Sequence, residues 1–414
     1  MKTNSRFQRV AIVAFAAVFA AGAAPWDVAP GKPGPANVLD YGAKGDGVHD
    51  DTPAIQAAIN AVAARGGGKV FFPYMKKGYL LASPALETVG GKPCRSQLYI
   101  PPTKLNIQLE GEMPCLLMQA YTVVGEPNNP VHACTRFGDQ FEGNVRLVSG
   151  WKPPVETNEA ARPWSMLSVL PGYASEACPL NGALVSIANL EFRAYLDKER
   201  MYAVQTAVNL SNASRAIVRD SQFGLNDNVG DGSLGKELQR SAVPAAGLVM
   251  SHPLNDDQVI YNVNVQGFKY GIVMAEHVHG LYLYLHNNEN ALTFTGSGHL
   301  SQIDFVTAQH NTRILTCHNG PLFERPETTN PAPCPIYVSV RGLSIEDGRV
   351  ARPLANRLEY GIYDPRNRLR GTFQFHMLHF GGPSPAEGTL PVCGAKFYTI
   401  ERYGGDSGAW MRNL

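Results

Sequence analysis

A short pattern recurs along Ala246–Thr316 and limits the folds open to this chain. Gly247-Leu-Val-Met is followed by Gly271-Ile-Val-Met, by Ala291-Leu-Thr-Phe and, less cleanly, by Arg313-Ile-Leu-Thr, with starts 20 to 24 residues apart. A second β-rich run follows each of the first three starts. A unit of this length cannot bury its own apolar face, so it must stack on copies of itself. The repeat predicts an all-β parallel β-helix, and a β-sandwich with evenly spaced strands is the alternative.

The composition is compatible with one long solenoid. The chain has 414 residues, of which 44% are hydrophobic, and this suffices for a continuous core. The formal net charge is +1, and there is no basic run beyond the N-terminus. The sequence therefore does not indicate a positively charged surface for nucleic acid. We therefore expect residues 24–414 to form a single domain that does not bind nucleic acid.

The N-terminus has the organisation of a secretory signal. Lys2, Arg6 and Arg9 are basic, Val10–Ala20 is apolar but too short to cross a bilayer, and an A-x-A site ends at Ala23. We predict that residues 1–23 are a signal peptide cleaved after Ala23. The mature protein would be secreted or periplasmic and would not associate with a membrane; an N-terminal membrane anchor is the alternative.

An exported chain can form disulfides. Seven cysteines are present, so at least one stays free or pairs between chains. Cys317 and Cys334 lie on either side of a Pro-rich insertion and could form a disulfide across its base. The pairing of the other cysteines is open. Their spacing contains no CxxC or Cys/His ligand set, and we therefore expect no metal and no cofactor.

An amphipathic helix is predicted near the start of the mature chain. Thr52 or Asp51 can cap it, Pro53 suits its first turn, and Ile55, Ala58, Ile59 and Val62 form one apolar face. Gly66-Gly-Gly68 ends the helix, and Lys69–Pro73 reads as a strand. Such a helix would cover the first coil and its unpaired strand edge.

The run VLDYGAKGDGVHDDTPAIQAAINA, followed by GGGKVFFP, closely resembles the N-terminal signature of pectate-lyase-3-type proteins. These belong to the pectin-lyase-like superfamily of right-handed β-helices, which includes rhamnogalacturonases, polygalacturonases and phage tailspikes. The resemblance covers about residues 37–73. It implies a right-handed β-helix with an N-terminal helical cap, and a carbohydrate-active protein whose groove follows one sheet.

Several polar features have simpler structural interpretations. Asp46, His49, Asp50 and Asp51 form a carboxylate-rich cluster, but they occupy a Gly-Asp-Gly turn and a helix N-terminus, so we interpret them as structural. The polar, Pro-rich segments 125–181 and 224–243 are predicted to be loop insertions. The first contains Trp151 and Trp164, which either stack on sugars or, more commonly, pack the loop onto the coils.

The resemblance to polygalacturonases supplies a test of that activity. In those enzymes the catalytic acids stand immediately before successive strand starts. Here Asp256, Asp257 and His299 instead follow their strand starts by several residues, and Arg313 is itself a strand start. We therefore do not transfer that catalytic set.

Residues at one register of stacked coils form a ladder along the same groove, because coils lie about 4.8 Å apart. We predict that the site lies in the register at and just before the strand starts, or five residues after them. The candidate catalytic residues are Lys269, Tyr270, Glu289, His310 and Glu359. The candidate substrate-binding residues are His252, Glu276, Asn290, His318, Tyr360 and Arg366.

Glycoside hydrolysis is the preferred reaction. If Glu289 and Glu359 lie two coils apart, their backbones are separated by about 9–10 Å, which suits an inverting pair of carboxylates. Lys269 would favour the ionised form of Glu289, so Glu289 is the expected base and Glu359 the expected acid.

Two other functions remain open. A polysaccharide lyase needs a base and a cation to neutralise a uronate carboxylate, roles that Lys269, Tyr270, His310 and Arg366 could fill. No Asp/Glu set resembles the calcium cage of pectate lyases. A non-catalytic glycan-binding protein could use the same groove. In each case the expected partner is a polysaccharide or oligosaccharide, and the oligomeric state is open.

Overall fold

The chain folds as a right-handed parallel β-helix with one N-terminal cap, as a computed structural model shows. The structure describes residues 34–85, 88–89, 92–93, 95–101, 106–112, 144–153, 164–170, 183–196, 205–225, 245–250, 257–275, 277–295, 301–309, 311, 313–318, 338–346, 362–363, 373–381 and 395–397. Among these residues, no helix has the length and apolar composition that a bilayer crossing requires.

The helical elements are a 3₁₀ helix (Val38–Tyr41) and α1 (Thr52–Ala64). The first strands are β1 (Ala36–Asn37), β2 (Asp46–Asp50), β3 (Gly68–Phe72), β4 (Gly78–Leu81), β5 (Thr88–Val89), β6 (Lys92–Pro93), β7 (Ser96–Ile100), β8 (Asn106–Gly111), β9 (Val145–Ser149), β10 (Ser165–Val169), β11 (Leu184–Ala188), β12 (Leu190–Ala194) and β13 (Thr206–Asn209). The remaining strands are β14 (Arg215–Leu225), β15 (Ala246–Met250), β16 (Gln258–Gln266), β17 (Tyr270–Met274), β18 (Val278–His286), β19 (Asn290–Thr295), β20 (Ser301–Gln309), β21 (Arg313–His318), β22 (Val338–Glu346), β23 (Ile362–Tyr363), β24 (Phe373–Gly381) and β25 (Ala395–Phe397).

Two large sheets carry the coils, and every pairing within their described strands is parallel. The short sheet has the order β7-β10-β13-β15-β17-β19-β21-β23. The long sheet contains β1-β3-β8-β11-β14-β16-β18-β20-β22-β24-β25, with β2, β4, β9 and β12 joining it beside β14. Parallel pairing between successive coils excludes the β-sandwich, which is built from antiparallel sheets.

The long sheet bends at one register on several successive coils. Asn189 alone separates β11 from β12, and the same register is occupied by Asp220 in β14 and Asn262 in β16. These three residues have φ between 49° and 57°. Asn and Asp tolerate this left-handed conformation better than other non-glycine residues. The bend therefore divides these coils of the long sheet into two sides, and the short sheet supplies a third.

The core is a stack of inward-facing columns. Leu248, Ile272 and Leu292 pair in register across the short sheet, and all three are fully buried. Phe192 and Phe223 stack on successive coils of the long sheet with ring centroids 5.7 Å apart. Each coil thus buries its apolar residues against the coils above and below, as the repeat predicts.

A buried asparagine pair holds the corner between the long and short sheets. The Oδ1 atom of Asn288 accepts a hydrogen bond from the Phe268 N–H at 3.0 Å. The backbone N–H of Asn288 donates to Asn311 Oδ1 at 2.9 Å. Asn311 Nδ2 donates to the Leu285 carbonyl at 2.7 Å. These amides satisfy backbone groups that the turning chain cannot pair within a strand ladder.

Helix α1 caps the first coils, and its apolar residues Ile55, Ala58, Ile59 and Val62 are buried as predicted. Gln56 attaches the helix to β7, the edge of the short sheet. Its Oε1 accepts from the Tyr99 N–H at 2.8 Å, and its Nε2 donates to the Tyr99 carbonyl at 2.9 Å. The side-chain amide thus satisfies an edge residue in the way that a neighbouring strand would.

Three details differ from the sequence-based expectations. Asp50, rather than Asp51 or Thr52, provides the side-chain acceptor for the Thr52 N–H. Arg313 pairs with Asn290, so the fourth repeat begins at Ile314. The segment 125–181 contains the coil strands β9 and β10, because Val145–Ser149 alternates inward and outward residues despite its Pro-rich flanks.

The second predicted insertion, 224–243, begins too early, since Gly224 and Leu225 still belong to β14. A Cβ atom at position 224 would lie 3.0 Å from Arg193 Nη1, so a larger residue there would displace the end of that side chain. Residues 226–243 lie outside the described residues.

Candidate functional site

The predicted register exists as a backbone ladder on the short sheet. Tyr270, Asn290 and Arg313 pair in sequence across β17, β19 and β21. Tyr270 is buried in a small apolar cluster with Ala246, Val249 and Val273. Asn290 is also buried, and its Nδ2 donates to the Lys269 carbonyl at 3.0 Å. Both side chains contribute to packing at this corner, and their catalytic or substrate-binding roles stay predictions.

Lys269 and Glu289 precede adjacent strands, and both are partly exposed. The Glu289 N–H donates to the Phe268 carbonyl at 3.0 Å, which ties the two coils together. β19 and β23 lie two places apart in the short sheet, the separation that the proposed carboxylate pair requires. His318 pairs with Thr295 through the backbone of β21, but its side chain is not described. His252, Glu276, His310, Glu359, Tyr360 and Arg366 lie outside the described residues.

Sequence reasoning missed a row of polar side chains on the outer side of the long sheet, C-terminal to its bend. Strand alternation points them away from the core, because their neighbours, such as Phe192, Phe223, Val265 and Leu285, are packed inside it. Glu191, Gln222 and Asn264 are nevertheless buried as well. Register pairing brings them onto successive coils. We call this set the polar face: Arg146, Glu191, Arg193, Gln222, Asn264, Gln266, Tyr284, His286 and Gln309.

One end of the polar face carries a carboxylate between two guanidinium groups. The Glu191 side chain is only 2% exposed. It accepts hydrogen bonds from Arg146 Nε at 3.0 Å and from Arg193 Nε. Two cations and one anion leave a net positive charge at this end. Removing Glu191 alone would leave the Arg193 guanidinium, which is 14% exposed, without its compensating charge.

Gly224 allows Arg193 to extend along the polar face. A Cβ atom at position 224 would lie 3.0 Å from Arg193 Nη1 and 3.4 Å from Gln266 Nε2. The guanidinium therefore crosses β14 toward β16. This places a delocalised cation nearer the centre of the polar face than its own strand would.

A tyrosine and a histidine occupy the other end. Tyr284 and His286 are two residues apart on β18, with ring centroids 4.9 Å apart. The Tyr284 hydroxyl donates to Gln309 Oε1 at 2.6 Å, and His286 Nε2 lies 3.0 Å from Asn264 Oδ1. An amide oxygen can only accept, so Nε2 carries the proton and Nδ1 is the proton-accepting nitrogen of the neutral ring.

The sequence contained a signal for this pair. Leu281-Tyr-Leu-Tyr-Leu-His286 alternates apolar and polar-tipped residues, and such a strand presents Tyr282, Tyr284 and His286 on the side away from the core. The pattern by itself predicts a strand and no site. Which partners stand beside Tyr284 and His286 depends on coil register, which the sequence pattern does not give.

The carboxylate cluster of the N-terminal segment is structural, as expected. Asp51 accepts hydrogen bonds from the Lys44 and Gly45 N–H groups at 2.5 and 3.1 Å. Burial raises the pKa of Asp50, but hydrogen bonds from Ser83, Thr52 and Ala82 outweigh it, so the pKa lies below its usual value. Hydrogen bonds from His49 and Val48 lower the pKa of Asp46 well below its usual range. Each carboxylate is used to hold a turn.

The two tryptophans of the predicted insertion contact each other. Their ring centroids are 4.7 Å apart, and Arg95 lies over the Trp164 ring with its guanidinium carbon 5.5 Å from the ring centroid. This contact supports the packing interpretation of Trp151 and Trp164. Among the described residues, no group of three or more His, Cys, Asp or Glu side chains is arranged to hold a metal ion.

Residues 36–91 match a family model described as rhamnogalacturonase A/epimerase, pectate lyase-like. A 37-residue segment is 68% identical to mannuronan C5-epimerase AlgE5 and 65% identical to alginate lyase 7, both of Azotobacter vinelandii. These matches cover 9% of this chain and 4% of each relative. The chain thus matches only a small part of the relatives' length.

Two solved structures are similar over most of the chain at low identity. The A-module of Azotobacter vinelandii mannuronan C5-epimerase AlgE6 is 16% identical, with a TM-score of 0.35, covering 89% of this chain and 100% of that one. The tailspike of E. coli bacteriophage HK620, solved with a pentasaccharide, is 11% identical, with a TM-score of 0.39, covering 90% and 64%. With residues 36–91 matched by the family model, the chain resembles the pectin-lyase-like right-handed β-helix proteins in its N-terminal signature and its fold.

Proposed function

We propose that this protein binds an acidic polysaccharide along the polar face and removes the proton next to a uronate carboxylate, with β-elimination as the favoured outcome. The observation that carries the proposal is the Tyr284–His286 pair on the same face as the Arg193 guanidinium. Proton abstraction beside a carboxylate requires a base, a proton donor and a cation. The polar face offers one candidate for each role.

The roles follow from hydrogen-bonding capacity. Arg193 lies three strand positions from His286, but its guanidinium extends across Gly224 towards Gln266. From there it would pair with the substrate carboxylate and stabilise the negative charge that develops when the neighbouring proton leaves. His286 would accept that proton at Nδ1, since its Nε2 is engaged by Asn264. Tyr284 would supply a proton to the departing glycosidic oxygen. Glu191 would position Arg193 and does not contact the substrate in this scheme.

The relatives support the class of substrate. Their names describe action on mannuronan and alginate, which are uronate polymers. Residues 36–91, which the family model matches, include the cap and first strands and contain no residue of the polar face. The match therefore supports a glycan-acting class of protein and assigns no reaction.

Hydrolysis is the second candidate, and it depends on a different surface. Among the described members of the polar face, Glu191 is the only carboxylate, and two guanidinium groups hold it. In this scheme the two carboxylates are Glu289, which precedes β19, and Glu359, which lies outside the described residues. The order β19-β21-β23 supports the assumed two-coil spacing of this pair.

A panel of polysaccharides distinguishes the candidates. Purified protein would be incubated with alginate, polygalacturonate and a neutral glucan. Elimination predicts ultraviolet absorbance from unsaturated sugar ends with the two acidic polymers only. Hydrolysis predicts new reducing ends without that absorbance. Retention on a polymer without cleavage would indicate a binding protein.

Two matched variants assign the site. His286→Gln should reduce elimination by about 100-fold or more, because a general base contributes 10²- to 10⁴-fold. Glu289→Gln should leave elimination unchanged. The opposite result, with Glu289→Gln inactive and His286→Gln active, would move the site to the short sheet.

Export is also proposed, on the basis of Lys2, Arg6, Arg9 and the apolar run that follows them. Sequencing the N-terminus of the protein recovered from a secreting host tests it. Processing should leave Ala24 as the first residue, and a retained Met1 would contradict it.

A further inference from the structure

Three aromatic side chains form an exposed row beside the polar face, on successive coils. Tyr261, Tyr282 and Phe305 belong to β16, β18 and β20 and are 39%, 53% and 37% exposed. Tyr282 and Phe305 are stacked with centroids 5.5 Å apart, and Tyr261 meets Tyr282 edge-on at 6.2 Å. We call these three residues the aromatic ladder.

The backbone at Tyr282 indicates that its ring serves more than the fold. Tyr282 occupies the bend register, which Asn189, Asp220 and Asn262 fill on the preceding coils. All four residues have positive φ, and Tyr282 has 58°. Asn and Asp accept this left-handed conformation, whereas a bulky aromatic residue is an outlier there. The chain thus places a ring where its own repeat uses a better-suited asparagine.

The next coil makes room for the ladder. Phe305 pairs with Gly342, and a Cβ atom at position 342 would lie 2.8 Å from the Phe305 ring. The neighbouring Asp304 carboxylate lies 3.8 Å from Arg341 Nε, and the Arg341 side chain is 60% exposed. Charged, hydrogen-bonding groups therefore flank the exposed rings.

The size and position of the ladder indicate its occupant. An aromatic residue buries about 150–250 Å² when fully covered, so three partly exposed rings offer roughly 250 Å². A stable protein interface needs about 800 Å² per partner, which is far more. The ladder instead matches a narrow ligand with apolar faces and hydroxyl edges. Tyr282 lies two residues before Tyr284, so a chain bound along the ladder would run beside the polar face.

We infer that the aromatic ladder is a glycan-stacking surface that holds a polysaccharide chain parallel to the axis of the β-helix. The apolar C–H face of a sugar ring packs on the open part of each aromatic ring. This inference rests on the proposed function only for the choice of acidic polymer. The ladder binds and aligns the chain, and the polar face carries the reaction.

The test uses a substitution that the fold itself suggests. Tyr282→Asn restores the residue type of the preceding coil, so the thermal midpoint should stay within about 3 °C of the wild type or rise. Binding to alginate and polygalacturonate would be measured by affinity electrophoresis. The dissociation constant should rise about tenfold, the loss expected for one stacking contact.

Two further variants complete the experiment. Tyr261→Thr should weaken binding in the same direction through a strand-compatible residue. Tyr74→Asn removes a 37%-exposed tyrosine from the segment after β3 and should leave binding unchanged. Unaltered binding by Tyr282→Asn, or no retention of the wild type by any tested polymer, would overturn the inference. A shift from dimer to monomer on substitution would also overturn it, because the ladder would then be a contact between copies.

Failure of the proposed function gives a different result. In that case the wild type would modify no uronate polymer, yet Tyr282→Asn would still weaken retention on whichever polymer the wild type binds. Such an outcome supports the ladder and rejects the assigned reaction.

Discussion

Individual side chains in this protein repeatedly satisfy groups on the neighbouring coil. Asn288, Asn311 and Gln56 pair with backbone groups of another coil or of an edge strand, and Glu191 pairs with guanidinium groups from two different strands. Apart from Arg193, which is two residues from Glu191, these partners are 23 or more residues apart in sequence. Residue-level roles therefore depended on coil register, and the sequence pattern alone could not assign them.

The Tyr284–His286 pair illustrates this limit. Alternation in the sequence predicts that both side chains face outward, and the structure agrees. Their partners Asn264 and Gln309 lie 20 or more residues away along the chain, in coils separated by turns of unequal length. The search at the strand starts, and five residues after them, instead selected residues such as Tyr270 and Asn290, whose side chains are buried.

Asp50 provides a pH-dependent prediction at the residue scale. Its carboxylate accepts hydrogen bonds from Thr52 and from the Ala82 N–H, and the net effect lowers its pKa in the folded state. Asp50→Asn should reduce the free energy of unfolding by about 1 kcal/mol at neutral pH. The folded pKa lies below the usual value of 3.8 for an aspartate, so the carboxylate stabilises the fold above that pH.

This contribution is lost as the pH falls through the folded pKa, and the stabilities of the two proteins should converge below it. Denaturant unfolding at several pH values measures the difference. Asp40→Asn, at an exposed site nearby, should change stability by less than about 0.5 kcal/mol. A difference for Asp50→Asn that grows on acidification would contradict the assignment.

Elements with a strong local pattern were predicted well. The 3.6-residue spacing of Ile55, Ala58, Ile59 and Val62 identified α1, and the repeated strand starts identified β15, β17 and β19. Elements within polar, Pro-rich surroundings were missed. β9 and β10 are five residues each, too short to stand out among the prolines that flank them.

The cap makes an element-scale prediction through Gln56. Gln56→Ala removes both hydrogen bonds to Tyr99 and should lower the free energy of unfolding by about 2 kcal/mol. It also uncovers the edge of the short sheet, so light scattering during refolding should increase.

Asn60→Ala is the matched control for the cap. It removes the Gln56–Asn60 hydrogen bond within α1 and leaves the Tyr99 contacts in place. Its effect on stability and scattering should be clearly smaller. Equal effects of the two substitutions would show that Gln56 acts within the helix and not on the strand edge.

On the scale of the whole molecule, stacking turns a short repeat into long parallel rows of side chains. The two sides of the long sheet and the short sheet each carry such rows, and the rows differ in chemistry. The polar face combines cations, a histidine and a tyrosine, whereas the aromatic ladder lies along its border at the bend. A polymer that extends along the helix axis could contact both at once, which is why we assign a polysaccharide partner.

The central claim is that the polar face removes a proton beside a uronate carboxylate, and it can be tested with alginate and polygalacturonate in deuterated water. NMR of the products would follow the hydrogen on the carboxylate-bearing carbon. In the wild-type reaction that hydrogen should disappear, either because an unsaturated end forms or because deuterium replaces it. His286→Gln should still bind the polymer, and its loss of that hydrogen should be at least about 100-fold slower. New reducing ends with that hydrogen intact, or full activity of His286→Gln, would contradict the claim.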